Sequence, residues 1–282
     1  VPLLLPSPFQ QARRDALKDP FLLQFWTQYD EQGDRERREM IPYFAAKFSP
    51  FYAEPLMRNV MGQTTRNLRL GPLMDGKGIF IANLAKGAIG DANARLLGMI
   101  LVAKLQTAAT MRVRRGAASR VPFRLYVDEF QSFVTPAFSC LLSEGRKYGL
   151  TLVLANQFLE QLKRSSFTGS DAVNVFDSID GNVWNLVVFR VGSKDAELLA
   201  PMLGRNFGAR ALTTLPNFYA AASFLDRGEP RDPLILRTER VPAAAAVRAE
   251  ALASVSRLRF GRSRALVEGE LFHRMKLLKG AA

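Results

Sequence analysis

The sequence is poor in residues and patterns on which several protein classes depend. It has a single cysteine, Cys140, and a single histidine, His273, so an intrachain disulfide and a cysteine–histidine metal cluster are both excluded. No apolar run reaches the ~18 residues of a membrane-spanning helix, and the first residues lack the basic segment of a signal peptide. No predicted strand is followed by GxxxxGK(S/T), the pattern of a phosphate-binding loop. What remains is a chain with 48% apolar residues, enough to build a sizeable core.

Acidic residues are scarce beside basic ones. The chain has 26 Asp and Glu against 39 Lys and Arg, a net charge of +13. Residues 61–124 hold eleven basic residues with only Asp75 and Asp91 as acids, and residues 237–282 are also basic. Such an excess predicts a polyanionic partner, with nucleic acid first and an acidic membrane surface second. The alternative is that both stretches are simply solvated surface.

The patterning divides the chain into three parts. Residues 1–77 are predicted to form helices joined by turns, as a small helical subdomain. Residues 78–240 alternate short apolar runs with helical segments, which predicts an α/β core with a mainly parallel sheet and helices on both faces. Its predicted strands are 78–84, 123–127, 150–156 and 184–191, followed by an edge hairpin within 218–238. Residues 241–282 are predicted to be a basic helical tail that is loosely ordered at its end.

The segment RLYVDEF (124–130) is an apolar strand that ends in two acids. Ligands bind at the carboxyl ends of strands in open α/β sheets, so Asp128 and Glu129 lie where a substrate would be held. The pair suits nucleotide hydrolysis, with Asp128 holding Mg²⁺ directly or through water and Glu129 orienting or deprotonating the attacking water. A strand that runs into a capping acid gives the same pattern.

The next predicted strand, TLVLANQ (151–157), ends in an amide at the same edge. Gln157 could sense the γ-phosphate of a nucleotide or position water there. An ordinary turn residue at the end of a strand is the alternative.

Two arginines near this core are candidate phosphate contacts. Arg146 lies in EGRKYG (144–149), near the end of a predicted helix, where it would complement the helix dipole or reach the nucleotide of a neighbouring subunit. Arg190, in FRVG (189–192), ends a strand and would contact phosphate or brace the acids of its own subunit. We favour Arg146 for the role in trans. A structural ion pair is the alternative for each.

The segment MRVRRGAASR (111–120) carries part of the basic excess. Its four arginines are predicted to contact DNA phosphates without reading bases; they are Arg112, Arg114, Arg115 and Arg120. A solvated loop between a helix and a strand is the alternative.

Two glycine-rich segments imitate a phosphate-binding loop. GPLMDGKG (71–78) has the GxxxxGK spacing, but Gly78 replaces the hydroxyl residue and the segment precedes a strand, so a turn is the better interpretation. KGAIG (86–90) follows a predicted strand but lacks the GK(S/T) ending, which favours a strand–helix loop. His273 has no carboxylate or thiol pair nearby, so no catalytic or metal role is predicted for it.

Three segments in order, YVDEFQSF, LLSEGRKYGLTLVLANQFLEQL and NLVVFRVGSKDAELL, resemble the HerA/FtsK class of RecA-like motors. They are most similar to the conjugative coupling ATPases of type IV secretion, the TraG/TraD type, over roughly residues 40–237. The resemblance implies a RecA-like P-loop NTPase core in which Asp128 and Glu129 form Walker B and Gln157 is the sensor amide. Arg146 or Arg190 would act toward the nucleotide of the neighbouring subunit.

The resemblance also implies a function: ATP- and Mg²⁺-driven translocation of DNA by a homo-hexameric ring, without sequence preference. A relaxase and type IV secretion components are implied partners, and the cytoplasm, at the inner face of the cell membrane, is the implied location. The sequence departs from the family in lacking Walker A, so we expect a fragment that hydrolyses ATP only at background rate by itself. Two alternatives stay open: a non-enzymatic DNA-binding or secretion adaptor with a degenerate RecA-like shell, and a chromosomal DNA pump.

Overall fold

The computed structural model describes residues 8–63, 68–159, 162, 175–204, 207–242 and 246–279. They belong to two compact units, residues 69–243 and a helical unit of residues 1–68 together with 244–282. The predicted helical subdomain and most of the predicted basic tail therefore belong to the same unit.

The described residues form helices and strands in the following order. The helices are α1 (Pro8–Asp15), α2 (Pro20–Glu31), α3 (Asp34–Ala53), α4 (Pro55–Met61), α5 (Leu70–Asp75), α6 (Lys86–Ile89), α7 (Asp91–Met111), α8 (Pro136–Glu144), α9 (Val175–Asn182), α10 (Ser193–Leu203), α11 (Ala209–Thr213), α12 (Ala246–Phe260) and α13 (Arg264–Lys279). The strands are β1 (Phe123–Val127), β2 (Leu150–Leu154), β3 (Leu186–Val188), β4 (Tyr219–Ser223), β5 (Leu225–Asp226), β6 (Glu229–Pro230) and β7 (Leu234–Arg237).

Among the described residues, the helical unit is held by helix caps and by contacts between residues distant in sequence. Glu54 caps α4 by accepting a hydrogen bond from the Met57 N–H at 3.0 Å, which satisfies an N–H that has no partner within the helix. Asn59 on α4 donates to Glu268 on α13 at 3.0 Å. The predicted basic helical tail contains α13, Arg264–Lys279, which contacts α4.

The strands β1 and β2 pair in parallel, from Phe123↔Leu150 to Val127↔Leu154. Alternate residues, among them Leu125 and Leu152, pack against the core on one face of this pair. The other face is open, with Tyr126 68% and Val153 44% exposed.

The remaining strands pair antiparallel, β3 with β4, β4 with β7, and β5 with β6. The predicted edge hairpin is confirmed by the pairing of β4 with β7. The fold is α/β with a parallel pair, as predicted, but the sheet is smaller than expected and mostly antiparallel. The prediction of a mainly parallel sheet covered on both faces is wrong for the described residues. Only β1 and β2 pair in parallel, the other strand pairs are antiparallel, and one face of β1–β2 is open.

The predicted strand at 78–84 is not formed. These residues have no regular structure, and Ile79 and Ile81 are 89% and 81% exposed. A strand requires a neighbour to satisfy its backbone groups, and none of the described strands pairs with this segment. The preceding GPLMDGKG is helical as far as Asp75 and turns only at Gly76 and Lys77, so its interpretation as a turn holds for the end of the segment alone.

The long helix α7 packs against elements that follow the strand ending in the two acids. Its buried residues recur at helical spacing, at Ala94, Gly98, Val102, Leu105 and Ala109, and the helix contacts both α8 and the segment after β1. By length and composition alone, Asp91–Arg114 is also apolar enough to cross a membrane. Mostly buried core helices pass the same test, but only 28% of this window is buried in the structure.

Candidate functional site

The carboxyl ends of β1 and β2 bring the predicted catalytic side chains together. The strands end in register at Val127 and Leu154, and backbone pairing continues beyond them. Ala155 N–H donates to Val127 O at 3.0 Å, and Phe130 N–H donates to Ala155 O at 3.2 Å. The segments that follow the two strands are therefore held side by side.

Asp128, Glu129 and Gln157 form the site that we call the acid edge. Gln157 Nε2 donates to Glu129 Oε1 at 3.3 Å, and Asp128 Oδ1 accepts from the Glu129 N–H at 2.9 Å. Glu129 has left-handed backbone angles, φ 47° and ψ 44°, which are uncommon for a residue with a side chain. The turn aims this carboxylate toward Gln157.

Lys86 is a member of this site that the sequence analysis missed. Its Nζ lies 3.4 Å from Glu129 Oε2 and 3.3 Å from Asp91 Oδ1. Hydrogen bonds to Asp91 and to Glu129 raise the pKa of Lys86, so it stays an ammonium at neutral pH. The signal was present in KGAIG, whose position before α7 places the lysine near the strand ends.

The donor set of the acid edge limits the metal that it could hold. No group of three or more His, Cys, Asp or Glu side chains forms a metal cage among the described residues. Mg²⁺ is commonly bound by one or two carboxylates, with phosphates and waters completing its shell. The carboxylate of Asp128, the predicted Mg²⁺ ligand, is within this donor number.

Arg146 does not join the acid edge. It lies in the 3₁₀ turn Gly145–Tyr148, which precedes β2, whereas Gln157 follows β2. A five-residue strand spans about 16 Å, so Arg146 belongs to the opposite end of the strand pair. Its side chain is exposed and forms no ion pair or hydrogen bond with any residue described here.

The turn around Arg146 is well defined. Thr135 and Pro136 start α8, with Thr135 Oγ1 accepting from the Phe138 N–H at 3.3 Å. Gly149 ends the turn in a left-handed conformation, φ 71°, which glycine adopts without a steric penalty. Residues 145–149 are called the Arg146 turn below.

The Arg146 turn is also held by a carboxylate. Glu144 Oε2 accepts from Tyr148 Oη at 2.9 Å, and Lys147 Nζ donates to Glu144 Oε1 at 3.3 Å. These two hydrogen bonds lower the pKa of Glu144, and the bond to Glu144 raises the pKa of Tyr148.

Arg190 is braced elsewhere. Its guanidinium donates to Asn217 Oδ1 at 2.7 Å and to Leu215 O at 3.4 Å. These partners follow α11, so the structure gives Arg190 a local structural role. No hydrogen bond joins it to Asp128 or Glu129.

Arg112 and Arg120 are committed to internal hydrogen bonds. Arg112 is 2% exposed and donates to Asp75 Oδ1, to Tyr148 O, both at 3.0 Å, and to Val121 O. Arg120 donates to Arg112 O at 3.1 Å and to Lys147 O. We call these two residues the arginine clamp, and residues 112–121 the basic loop.

Arg114 and Arg115 are the exposed cations of the basic loop. Arg115 lies 3.2 Å from Asp75 Oδ2 and is 55% exposed, so it can still turn to a phosphate. Arg114 forms no ion pair with any described residue. The structure thus splits the four predicted DNA contacts into two clamp residues and two exposed ones.

Comparisons with known proteins match one part of the chain to a family model. Residues 122–208 match the family model described as "TraM recognition site of TraD and TraG", and no curated protein matches the sequence. Among solved structures, "Bacterial conjugative coupling protein TrwBdeltaN70. Unbound monoclinic form." is similar at 19% identity with a TM-score of 0.39. That similarity covers 49% of this chain and 36% of the other, so the chain spans little more than a third of that protein. The matched residues 122–208 include β1, β2, the acid edge and the Arg146 turn, and through them this chain is related to the TraG/TraD-type coupling proteins.

Proposed function

We propose that this chain supplies the acid half of a nucleotide-hydrolysis site in a DNA-translocating ATPase of the conjugative coupling type. The observation that carries the proposal is the contact between Gln157 and Glu129 beside Asp128, at the carboxyl ends of two parallel strands. Ligands bind at this edge in α/β sheets, and the family match supports the coupling type.

Each residue of the acid edge has a role in this proposal. Asp128 holds Mg²⁺, which when bound neutralises charge on the phosphate oxygens. Glu129 orients and deprotonates the attacking water, and Gln157 holds the Glu129 carboxylate and senses the terminal phosphate. Lys86 fixes the second oxygen of Glu129 until the nucleotide is in place. ATP binding also requires a RecA-like phosphate loop from outside these 282 residues, because GPLMDGKG lacks the hydroxyl residue.

The same proposal includes the assembly, the partners and the location of the protein. The active form is a homo-hexameric ring that grips DNA through exposed basic side chains, without sequence preference. A relaxase and type IV secretion components are its partners, at the inner face of the cell membrane, with membrane attachment through a part outside this chain. Arg146, exposed and about 16 Å from its own acid edge, acts on the nucleotide of the neighbouring subunit.

Glu129→Gln tests the catalytic assignment. In the ring formed by this chain joined to its phosphate loop, we expect ATP turnover to fall by at least about 100-fold, because the base is lost, while nucleotide binding persists. Glu197→Gln, an equal change at an exposed position on α10, is the control and keeps full turnover. Turnover of Glu129→Gln within a few-fold of the parent protein would show that Glu129 is not the base.

The 282-residue chain alone provides a second test. It is expected to turn over ATP at background rate, since the backbone N–H groups and lysine of a phosphate loop are missing. Steady turnover that disappears in Asp128→Ala would contradict this.

Mixed rings test Arg146 and Arg190. Arg146→Ala subunits mixed with Asp128→Ala subunits should regain part of the activity, because one intact composite site can form. If Arg190 serves the site of its own subunit, Arg190→Ala mixed in the same way should stay inactive. Rescue by Arg190→Ala alone would reverse the assignment.

A recognition module is the second candidate, and the description of the matched family model favours it. In that case residues 122–208 would bind TraM as an adaptor without hydrolysing nucleotide. Titration of the chain with purified TraM measures this directly. Binding that is unaffected by Asp128→Asn, together with no ATPase activity in the complete ring, would favour the adaptor over the motor.

A further inference from the structure

The basic loop and the Arg146 turn are joined by hydrogen bonds from the arginine clamp. Arg112 reaches from the start of the loop to Tyr148 O at 3.0 Å, and Arg120 reaches from its end to Lys147 O. Both acceptors are backbone carbonyls of the turn. The bonds therefore fix the path of the main chain, whatever the side chains of the turn do.

The clamp also shapes the basic loop itself. Arg120 donates to Arg112 O and to Arg115 O, each at 3.1 Å through Nε, while Arg112 donates to Val121 O. A guanidinium offers five N–H donors in a rigid plane, and a lysine ammonium cannot replace that geometry. Loop and turn are thus held together by groups with little rotational freedom.

Exposed cations lie on both of the segments that the clamp connects. Arg114 and Arg115 lie on the loop, and Arg146 lies on the turn. Gly149 lies where the two segments meet, and its left-handed backbone, φ 71°, is the feature that favours glycine there, because an added Cβ would make only ordinary contacts, 3.5 Å from Arg120 Cβ and 3.6 Å from Arg112 Nη1.

We propose that Arg112 and Arg120 are positioning residues that couple phosphate contact at the basic loop to the placement of Arg146. DNA phosphates held by Arg114 and Arg115 restrain the loop, and the clamp passes that restraint to the backbone of residues 145–149. The position of the residue that faces the neighbouring subunit then depends on bound DNA. This inference rests on the proposed function, because it takes DNA as the ligand of the loop.

The experiment is hydrogen–deuterium exchange of the 145–149 backbone in the 282-residue chain, with and without a short duplex of mixed sequence at low salt. We expect bound DNA to slow exchange in this turn several-fold, since restrained segments open less often. DNA that binds without changing exchange at 145–149 overturns the coupling, and this arm depends on no variant.

Matched variants separate contact from positioning. Arg120→Lys keeps the charge and should bind DNA with an unchanged salt dependence, but the response at 145–149 should disappear. Arg114→Gln should make the log–log salt slope shallower by about 0.9 and keep the response in the bound protein. Arg210→Gln, the same charge change on α11, should alter neither.

Two outcomes have distinct meanings. A full exchange response in Arg120→Lys, with an unchanged melting temperature, overturns the role of the clamp. A chain that binds no DNA at any salt concentration contradicts the proposed DNA function, which separates that failure from a failure of the coupling.

Discussion

The acid edge and the arginine clamp lie at opposite ends of the same two strands. The acid edge is solvent-accessible and held by a few hydrogen bonds, the shortest at 2.9 Å. The clamp centres on Arg112, which is 2% exposed and bonded to one carboxylate and two carbonyls. Charged residues that look alike in the sequence therefore have two different roles. Some side chains are exposed and available to a ligand, and others are buried and hold the backbone that carries the exposed ones.

The largest expected effect is at the clamp. Arg112→Met should lower the free energy of unfolding by about 2–5 kcal/mol, because it leaves two carbonyls without their buried donor and Asp75 with only the exposed Arg115 as its partner. Urea unfolding of the 282-residue chain measures it. Arg114→Met, an exposed neighbour, should change stability by less than about 0.5 kcal/mol. Equal effects of the two variants would remove the distinction between clamp and contact.

Gly149 tests whether the backbone of the Arg146 turn must be left-handed. At φ 71°, Gly149→Ala should cost about 1–2 kcal/mol of unfolding free energy. Gly116 is the matched control, with φ −55° and no atom within 4 Å of an added Cβ, so Gly116→Ala should be neutral or slightly stabilising. A neutral Gly149→Ala would show that the turn can adopt another path.

At the acid edge we expect substitutions to leave stability almost unchanged, in contrast to the substitution at the clamp. Asp128→Asn keeps an oxygen to accept from the Glu129 N–H, and Gln157→Ala removes one exposed hydrogen bond, so each should change stability by less than about 0.5 kcal/mol. Both should abolish or strongly reduce ATP turnover in the complete ring. A loss of stability comparable to that of Arg112→Met would make the acid edge structural.

The smallest expected effect is a pH dependence at Glu144. Its folded pKa is lowered by hydrogen bonds from Tyr148 and Lys147, below its ordinary value of 4.5. Its contribution to stability is therefore complete above pH 4.5 and is lost as the pH falls through the folded pKa. Glu144→Gln should flatten the melting temperature of the chain over this acid window, and Glu197→Gln should not.

Local patterns predicted the elements around the acid edge well. The strands predicted at 123–127 and 150–156 follow from short apolar runs, and the structure confirms strands at Phe123–Val127 and Leu150–Leu154. The convergence of Glu129 and Gln157 followed from one further step, that parallel strands end at a common edge. Their catalytic roles stay predictions.

The sequence alone did not predict which residues form contacts with residues far away along the chain. Nothing in MRVRRGAASR shows that Arg112 lies against Asp75, 37 residues earlier in the chain, while Arg114 stays exposed. The strand expected at 78–84 failed for the same reason, because an apolar run becomes a strand only when another strand accepts its backbone. Lys86 was missed because its ion-pair partner Glu129 is distant in sequence.

The left-handed backbone at Glu129 has an evolutionary consequence. An L-residue in this conformation loses about 1–2 kcal/mol that glycine would not, so under the proposed function the position favours activity over folding stability. Substitutions selected only for thermal tolerance would drift toward glycine or asparagine here and remove the carboxylate. In a library of variants at position 129, selection for heat resistance should therefore enrich glycine and asparagine, whereas selection for ATP turnover should enrich glutamate.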